Sequence, residues 1–528
     1  MLNLIKDYRS QTILALTGGL VLTLAFPKID QGWLAWIALT PLLLALRQAE
    51  RKTGFLLGFT FGMAHNLSLV YWTVHTMHLY GNIPLFQSIG ILFLFAAYLS
   101  LYPAIFGSLL AWLRPAPHRL LWTAPVLWVC LEMLRDHLFT GFPWELLGYT
   151  QYRHLWVIQI ADIFGVYSVS ALIVFVNCVL AVGLLSWLEL PWHPHLPSKT
   201  AATRMAAVAI VVLVGINAYG VWRLRSTDRI AASARQVKVA VIQGNIDQAQ
   251  KWDPRFQVLT TAKYRRLSLE PAAKSADLVV WPETAAPFYL LKDKILTNMV
   301  MEGIKNTKAY FIIGSPSYAE AGDRPIFHNS AYLISPQGKP EGQYDKVHLV
   351  PFGEYVPLKR FLPFIHKLVA QVGDFKPGLK GATLHWANHQ VGMLICYEVI
   401  FPELARAMTR NGADLLVNIT NDAWFGRTGA AYQHFSMAVF RAVENRRFLA
   451  RAANTGISGF IDAGGRILAA TDLFKEAVVA LPVSLMQIRS LYSRWGDWPL
   501  GILTFGIAAL SIWHRRRQAR HLNNNSVT

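Results

Sequence analysis

Apolar residues fill the first part of the chain in long runs and return once near its end. Nearly uncharged runs lie near 11–27, 32–46, 54–74, 85–113, 119–139, 157–188 and 204–222, and another near 497–513. As helices, most are long enough to cross about 30 Å of hydrocarbon. The run at 32–46 is short and those at 85–113 and 157–188 are long, so tilted or partial spans are expected. Gly18, Gly19 and Pro41 interrupt the first two runs, which also read as a broken or shallow hairpin. Lys6 and Arg9 precede the first run as in a signal peptide, but no convincing small-x-small cleavage site follows and further spans do. It is expected to be an uncleaved anchor.

Between about 225 and 490 the pattern changes. Charged residues return, and short Val/Ile-rich runs alternate with turn signals. Strands are expected at 237–242, 277–281, 310–314, 391–395 and 414–418. Helical stretches are expected near 254–270, 291–307 and 430–447. The chain therefore divides into an α-helical membrane domain at 1–224 with about seven spans, an α/β domain at 225–490, and a last span with a basic tail at 491–528.

Composition agrees with that division. The 528 residues are 53% hydrophobic and only 15% charged, where soluble domains run near a quarter charged. A chain of this kind is not a soluble enzyme throughout. The net charge of +19 is compatible with nucleic acid, anionic lipid or membrane topology. Its basic residues fall in short runs beside apolar segments, the membrane pattern, so no nucleic-acid partner is expected. The tail His514-Arg515-Arg516-Arg517-Gln518-Ala519-Arg520 belongs in the cytoplasm by the positive-inside rule. Lys6, Arg9, Arg47, Arg51, Lys52, Arg114, Arg119, Lys199 and Arg204 then also fall inside, against Lys28, Arg135 and Arg153 outside. Alternation places the α/β domain outside, facing the periplasm or the outer side of a plasma membrane. An even number of N-terminal spans would place it inside and force the last span not to cross.

Three cysteines exclude a disulfide framework. Cys130 and Cys178 lie in apolar runs, while Cys396 lies in the α/β part, either inert or kept for its reactivity. Three stretches stand out there: Trp281-Pro282-Glu283-Thr284, the run from Tyr344 through Lys346 to Glu354, and Ile395-Cys396-Tyr397-Glu398. Each places a reactive residue at or just beyond a strand end, the rim where α/β sites gather. Singly each is weak. A cysteine after an apolar strand is commonly packing, such a lysine a solvated charge, and a glutamate after Trp-Pro a helix-cap partner. Together they form a workable set. A thiol with a reference pKa near 8.5 needs a base or a positive neighbour to attack at neutral pH. Glu283 can take its proton, and Lys346 can face a thiolate or an oxyanion. The Tyr397 N–H is the natural second oxyanion donor.

In this order, Glu283, Lys346 and Cys396 resemble the Glu–Lys–Cys triad of the nitrilase superfamily. The match includes Pro-Glu after a strand and Cys-Tyr-Glu followed by Phe401-Pro402-Glu403-Leu404. With spans on both sides, the whole of about residues 10–515 resembles the apolipoprotein N-acyltransferase family. Further matching stretches are Val241 to Ile246 with Lys251-Trp252, Val350 to Pro357, and Asn421 to Gly426. The resemblance implies a nitrilase-like αββα sandwich beside a multi-span helical domain, and no cofactor or metal. It implies transfer of the sn-1 acyl chain of a phospholipid, typically phosphatidylethanolamine, to Cys396 as a thioester. The α-amine of a diacylglyceryl-cysteine at an apolipoprotein N-terminus then takes the acyl chain. Glu283 is the base, Lys346 the oxyanion stabiliser and Cys396 the nucleophile by this match. Glu354, Tyr397 and Glu398 match supporting positions, and Trp252 a substrate contact.

Lipid substrates require a site near the membrane surface. The stretch 357–375, with Phe361 and Phe364, reads either as a core helix or as a lid dipping into lipid between hinges at Gly353 and Gly373. His75 and His78 lack the companions of a metal site. Glu132, Arg135 and Asp136 read as interfacial charges, and Glu145 lies in an outer loop. Three alternatives stand beside the transferase: a membrane-tethered amidase or other hydrolase on the same triad, a transporter with an outer domain, and an inactive binding module.

Overall fold

Three helices among the described residues, Leu85–Leu113, Val166–Trp187 and Lys199–Ser233, are long and apolar enough to cross a membrane. The computed structural model describes residues 8–321, 324–355 and 375–525. It divides into one unit of Met1–Val74, Leu85–Val221 and Trp495–Thr528, and another of His75–Pro84 and Trp222–Arg494.

In the first unit, small residues set how closely helices approach. Gly54, Gly58 and Gly62 recur every fourth residue on the helix Arg51–Leu69. A Cβ at Gly58 would lie 2.1 Å from the Pro103 carbonyl oxygen, and one at Gly54 would lie 2.5 Å from that of Gly107. Their absence lets this helix meet Leu85–Leu113 backbone to backbone, a packing mode membrane helices favour. The run at 32–46 is broken into a 3-10 turn at Gly32–Leu34 and two short helices, Ala35–Ala38 and Thr40–Leu46. Asn177 supports the break. Its Oδ1 accepts from the Leu39 and Thr40 N–H groups, each at 2.9 Å, and its Nδ2 donates to the Ala35 carbonyl at 2.9 Å. Buried backbone groups freed by a break in a helix require such partners. The run at 157–188 is likewise divided, with Gly165 at a φ of +67° just before Val166–Trp187.

The second unit contains two six-stranded sheets. The strands of the first are β1 (Gln236–Gln243), β2 (Leu278–Val280), β3 (Tyr310–Ala321), β4 (Arg324–Ile334), β5 (Pro340–Asp345) and, closing the chain order, β12 (Ala477–Ser484). Those of the second are β6 (Thr383–Trp386), β7 (His389–Ile395), β8 (Leu415–Thr420), β9 (Leu449–Ala453), β10 (Gly459–Ile461) and β11 (Ile467–Ala470). The orders are β12-β1-β2-β3-β4-β5 and β11-β10-β9-β8-β7-β6. Each sheet has a parallel centre, β1-β2-β3 and β7-β8-β9, with antiparallel flanks. The central strands β2 and β8 are buried at every position, as parallel strands covered on both faces must be. Contacts of β1 with β9 and of β4 with β7 join the sheets face to face. Helices Pro254–Ser268 and Lys294–Lys305 cover the first sheet, and Pro402–Arg410 and Ala430–Asn445 the second. The result is an α/β/β/α sandwich.

Local sequence explains the outer layers. Asp253 and Asp293 cap their helices by accepting from the N–H groups of Arg255 and Leu296, each at 3.0 Å. Trp281 stacks on Tyr264 at 5.1 Å and donates its indole N–H to Ser268 Oγ at 2.9 Å. Strands are found where hydrophobic runs predict β1, β2, β3, β7 and β8. The others escape that pattern. β9 carries a fully buried arginine, Arg451, β10 has three residues, and β11 alternates between half-buried and exposed. The apolar arm expected at 357–375, with its Gly373 hinge, lies outside the described residues except for Phe375. The Phe375 N–H donates to the Glu354 carbonyl at 3.3 Å.

Candidate active site

Glu283, Lys346 and Cys396 come from the ends of β2, β5 and β7, and all three are buried, at 6%, 1% and 8% exposure. Glu283 is held from several sides. Its Oε1 accepts from Asn329 Nδ2 at 2.8 Å, and its Oε2 accepts from the Asn421 N–H at 2.9 Å. The Lys346 ammonium lies 3.7 Å from Glu283 Oε1. Gly314 on β3 permits this placement, since a Cβ there would lie 2.3 Å from the Pro282 carbonyl and 2.7 Å from Glu283 Cα.

Lys346 donates to Glu354 Oε1 at 3.0 Å. Glu354 also accepts from Asn329 Nδ2 at 2.9 Å and from the Val350 N–H at 2.8 Å. Burial works against the Lys346 charge, but the carboxylates of Glu354 and Glu283 outweigh it and hold the ammonium well above its ordinary value. Lys346 is thus a fixed cation.

Cys396 follows β7 with a φ of +54°, a left-handed conformation uncommon outside glycine. Burial first, and then the charge of Glu283, push its thiol up to about 12, with Lys346 pulling the other way. The resting sulfur is therefore protonated, and attack at neutral pH requires a base in the transition state rather than a standing thiolate. Alkylation of Cys396 by iodoacetamide should rise steadily from about pH 7 to about pH 9. A rate already level at neutral pH would mean a preformed thiolate.

Glu398 fastens the two sheets together at the site. Its Oε1 accepts from the N–H groups of Val347 and His348, at 2.6 and 3.1 Å, and its Oε2 from that of Ile395 at 2.6 Å. The Tyr344 hydroxyl donates to both oxygens, at 3.0 and 3.1 Å. One side chain thus ties the turn carrying Lys346 to the strand end carrying Cys396. Burial pushes its carboxyl up to about 7, against those N–H donors and the charge of Lys346.

Two family profiles match the chain: the apolipoprotein N-acyltransferase N-terminal domain over residues 18–179, and carbon-nitrogen hydrolase over residues 238–492. An apolipoprotein N-acyltransferase of Geobacter metallireducens is 45% identical over 98% of this chain and 96% of its own length. The chain belongs to the apolipoprotein N-acyltransferase family. Members from Methylococcus capsulatus and Shewanella oneidensis are 35% and 31% identical, over 96% and 90% of this chain and 97% and 90% of their own lengths.

Within this apolipoprotein N-acyltransferase fold, the residues expected from sequence divide by position. Glu283, Lys346 and the half-buried Glu354 form one bonded cluster, and Glu398 holds the turn after Lys346 to the Cys396 strand end. The Tyr397 ring instead packs on Phe401 at 5.1 Å and His348 at 5.8 Å. Trp252 follows the short helix Gln248–Lys251, with a buried indole N–H that meets no acceptor among the described residues.

Other residues joined to the network were missed. Asn329 bridges Glu283 and Glu354. Lys251, 2% exposed, donates its ammonium to the Glu283 carbonyl at 2.9 Å. Burial lowers it to about 8, although the charges of Glu283 and Cys396 act the other way. The Lys251-Trp252 pair was visible, but nothing in it told which of the two faces inward. His75 and the segment after it belong to this unit as a strap. Thr76 Oγ1 donates to the Trp424 carbonyl at 2.9 Å, and the Tyr80 hydroxyl to that of Ala423 at 3.0 Å. Among the described residues no group of three or more His, Cys, Asp or Glu is placed to hold a metal.

Proposed function

We propose that this N-acyltransferase works through a Cys396 thioester, in two half-reactions at one site. In the first, Glu283 takes the Sγ proton as sulfur attacks the sn-1 ester carbonyl of a phospholipid, for which phosphatidylethanolamine is the expected donor. The Lys346 ammonium and the Tyr397 N–H receive the oxyanion. The C–O bond breaks, and Glu283 returns the proton to the departing lysophospholipid. In the second, the α-amine of a diacylglyceryl-cysteine attacks the thioester. Glu283 takes an amine proton and passes it to the sulfur as the C–S bond breaks. The acceptor is an apolipoprotein N-terminus. Glu354 and Glu398 hold Lys346 and the two strand ends in place, and Trp252 contacts substrate.

The observation that carries this reading is the meeting of Glu283 and Lys346 around a buried cysteine in a chain 45% identical to an apolipoprotein N-acyltransferase. Topology follows from charge. The basic run at Arg515–Arg517 stays in the cytoplasm of a bacterial inner-membrane protein, and the domain at 225–490 works on the periplasmic face.

The test is intact mass of the detergent-purified protein after incubation with phosphatidylethanolamine alone. An acyl-sized adduct is expected, labile to hydroxylamine, mapping to Cys396 and discharged by a diacylated lipopeptide. An adduct on another residue would overturn the reading. So would discharge to free fatty acid with no acylated lipopeptide, which would instead mark a hydrolase.

A further inference from the structure

The Cys396 carbonyl is held by a side chain that takes no part in the proposed proton transfers. His434, on Ala430–Asn445, is fully buried, and its Nε2 lies 3.1 Å from the Cys396 carbonyl oxygen. Only a protonated Nε2 serves that acceptor. The other ring nitrogen is also engaged. Asp422 Oδ1 and Arg451 Nη2 each lie 3.0 Å from His434 Nδ1. Arg451 Nη2 also donates to Asp422 Oδ2 at 2.8 Å, and Thr420 Oγ1 donates to Asp422 Oδ1 at 2.8 Å. Arg451 is anchored in turn by Asn418 Oδ1 and by the Ile457 carbonyl at 3.1 Å. Gly456 leaves space for the carboxylate, since a Cβ there would lie 2.2 Å from Asp422 Oδ2. Every one of these groups is buried at 4% exposure or less, apart from Ile457 at 6% and Cys396 itself at 8%.

The geometry gives this network a consequence. A peptide unit is planar and trans, so its C=O and N–H point in opposite directions. A donor that fixes the Cys396 carbonyl therefore also fixes the direction of the Tyr397 N–H. Drawing on that carbonyl also strengthens the N–H as a donor, because linked hydrogen bonds polarise one another. The left-handed backbone at Cys396 needs such outside support, since surrounding structure must over-determine a sparsely populated conformation.

We propose that His434 is a positioning residue for acyl transfer, acting through the Cys396–Tyr397 peptide to aim the oxyanion-binding N–H, with Asp422 and Arg451 fixing its ring. The proposal rests on the reading of Cys396 as nucleophile. Two reactions of the same sulfur separate it from a merely structural role. Thioester formation from phosphatidylethanolamine passes through an oxyanion; alkylation by iodoacetamide does not. His434→Phe should slow thioester formation by about 10²-fold while leaving Cys396 alkylation within about threefold of wild type. His434→Gln, whose amide nitrogen reaches the place of Nε2, should recover to within about tenfold of wild type, whereas His434→Asn, whose amide reaches only the place of Nδ1, should not. Equal losses in both reactions would overturn the positioning role, as would thioester formation undiminished in His434→Phe. Circular dichroism of each variant accompanies the rates, and a folded His434→Gln that fails like His434→Phe also counts against it. A wild-type protein with no hydroxylamine-labile adduct at Cys396 overturns the nucleophile reading instead, and is recognised before any variant is compared.

Discussion

Cys396→Ala is expected to lose acyl transfer by about 10⁵-fold or more, the scale seen when a covalent catalyst loses its nucleophile. The size follows from the site. No other group in the Glu283–Lys346–Glu354 cluster can form and release an acyl bond at neutral pH while the rest of the network persists. Lys346 is held as a cation, and the carboxylates are engaged as acceptors of two or more hydrogen bonds each. Cys396→Ser should fare little better, because a hydroxyl is harder to deprotonate than a thiol already raised to about 12. Neither change should unfold the domain, since Ala and Ser meet the left-handed backbone at this position on the same terms as Cys. Cys130 and Cys178 lie buried in the other unit, and their replacement by Ala should leave the thioester intact. Initial rates of lipopeptide acylation, read beside intact mass, decide the matter. Transfer within tenfold of wild type in Cys396→Ala would remove the covalent mechanism.

Lys346→Met is expected to damage both stability and rate. The ammonium is the counter-charge for Glu354 at 3.0 Å and Glu283 at 3.7 Å, and it is 1% exposed. Removing one partner of a buried ion pair leaves an uncompensated charge and costs about 3–5 kcal/mol. For a domain of this size that corresponds to a fall of about 10 °C in thermal midpoint. Acyl transfer should fall by about 10³-fold, because an oxyanion loses its charged donor. The double variant Lys346→Met with Glu354→Gln separates the two effects. Taking away the orphaned carboxylate should restore part of the midpoint through coupling of the pair, and none of the rate. A double variant that recovers transfer would show that Lys346 serves stability alone.

Much of the site was legible before any fold. Glu283, Lys346 and Cys396 sit at the ends of hydrophobic runs, and strand ends are where side chains leave a sheet into a cleft. Glu354 and Glu398 were visible as companions in the same stretches. Their tasks were not. Glu398 reads in sequence as the neighbour of a cysteine, yet besides Ile395 its bonds go to Tyr344 on the opposite sheet and to Val347 and His348 in the turn after it. His434 lies on a helix that sequence marks only as a helix near 430–447. Arg451 falls in a stretch whose charge argued against a buried strand, because an arginine is rarely enclosed without partners. Those partners, Asp422 and Asn418, come from another strand and the turn after it.

What sequence alone determined is what is written along one dimension. Apolar runs set the membrane-length helices, period and β-branching set the central strands, and the order of Glu, Lys and Cys marked the candidate site. Such features depend on each segment's own transfer from water, so they survive without knowledge of neighbours. Tertiary structure alone decided which polar groups are enclosed together. It put Asn177 under a break in a segment 138 residues before it, Lys251 behind Glu283, and His434 behind Cys396. Enclosure out of water is what makes each of these contacts strong, and what makes each missing partner costly. That condition exists only once distant segments have packed.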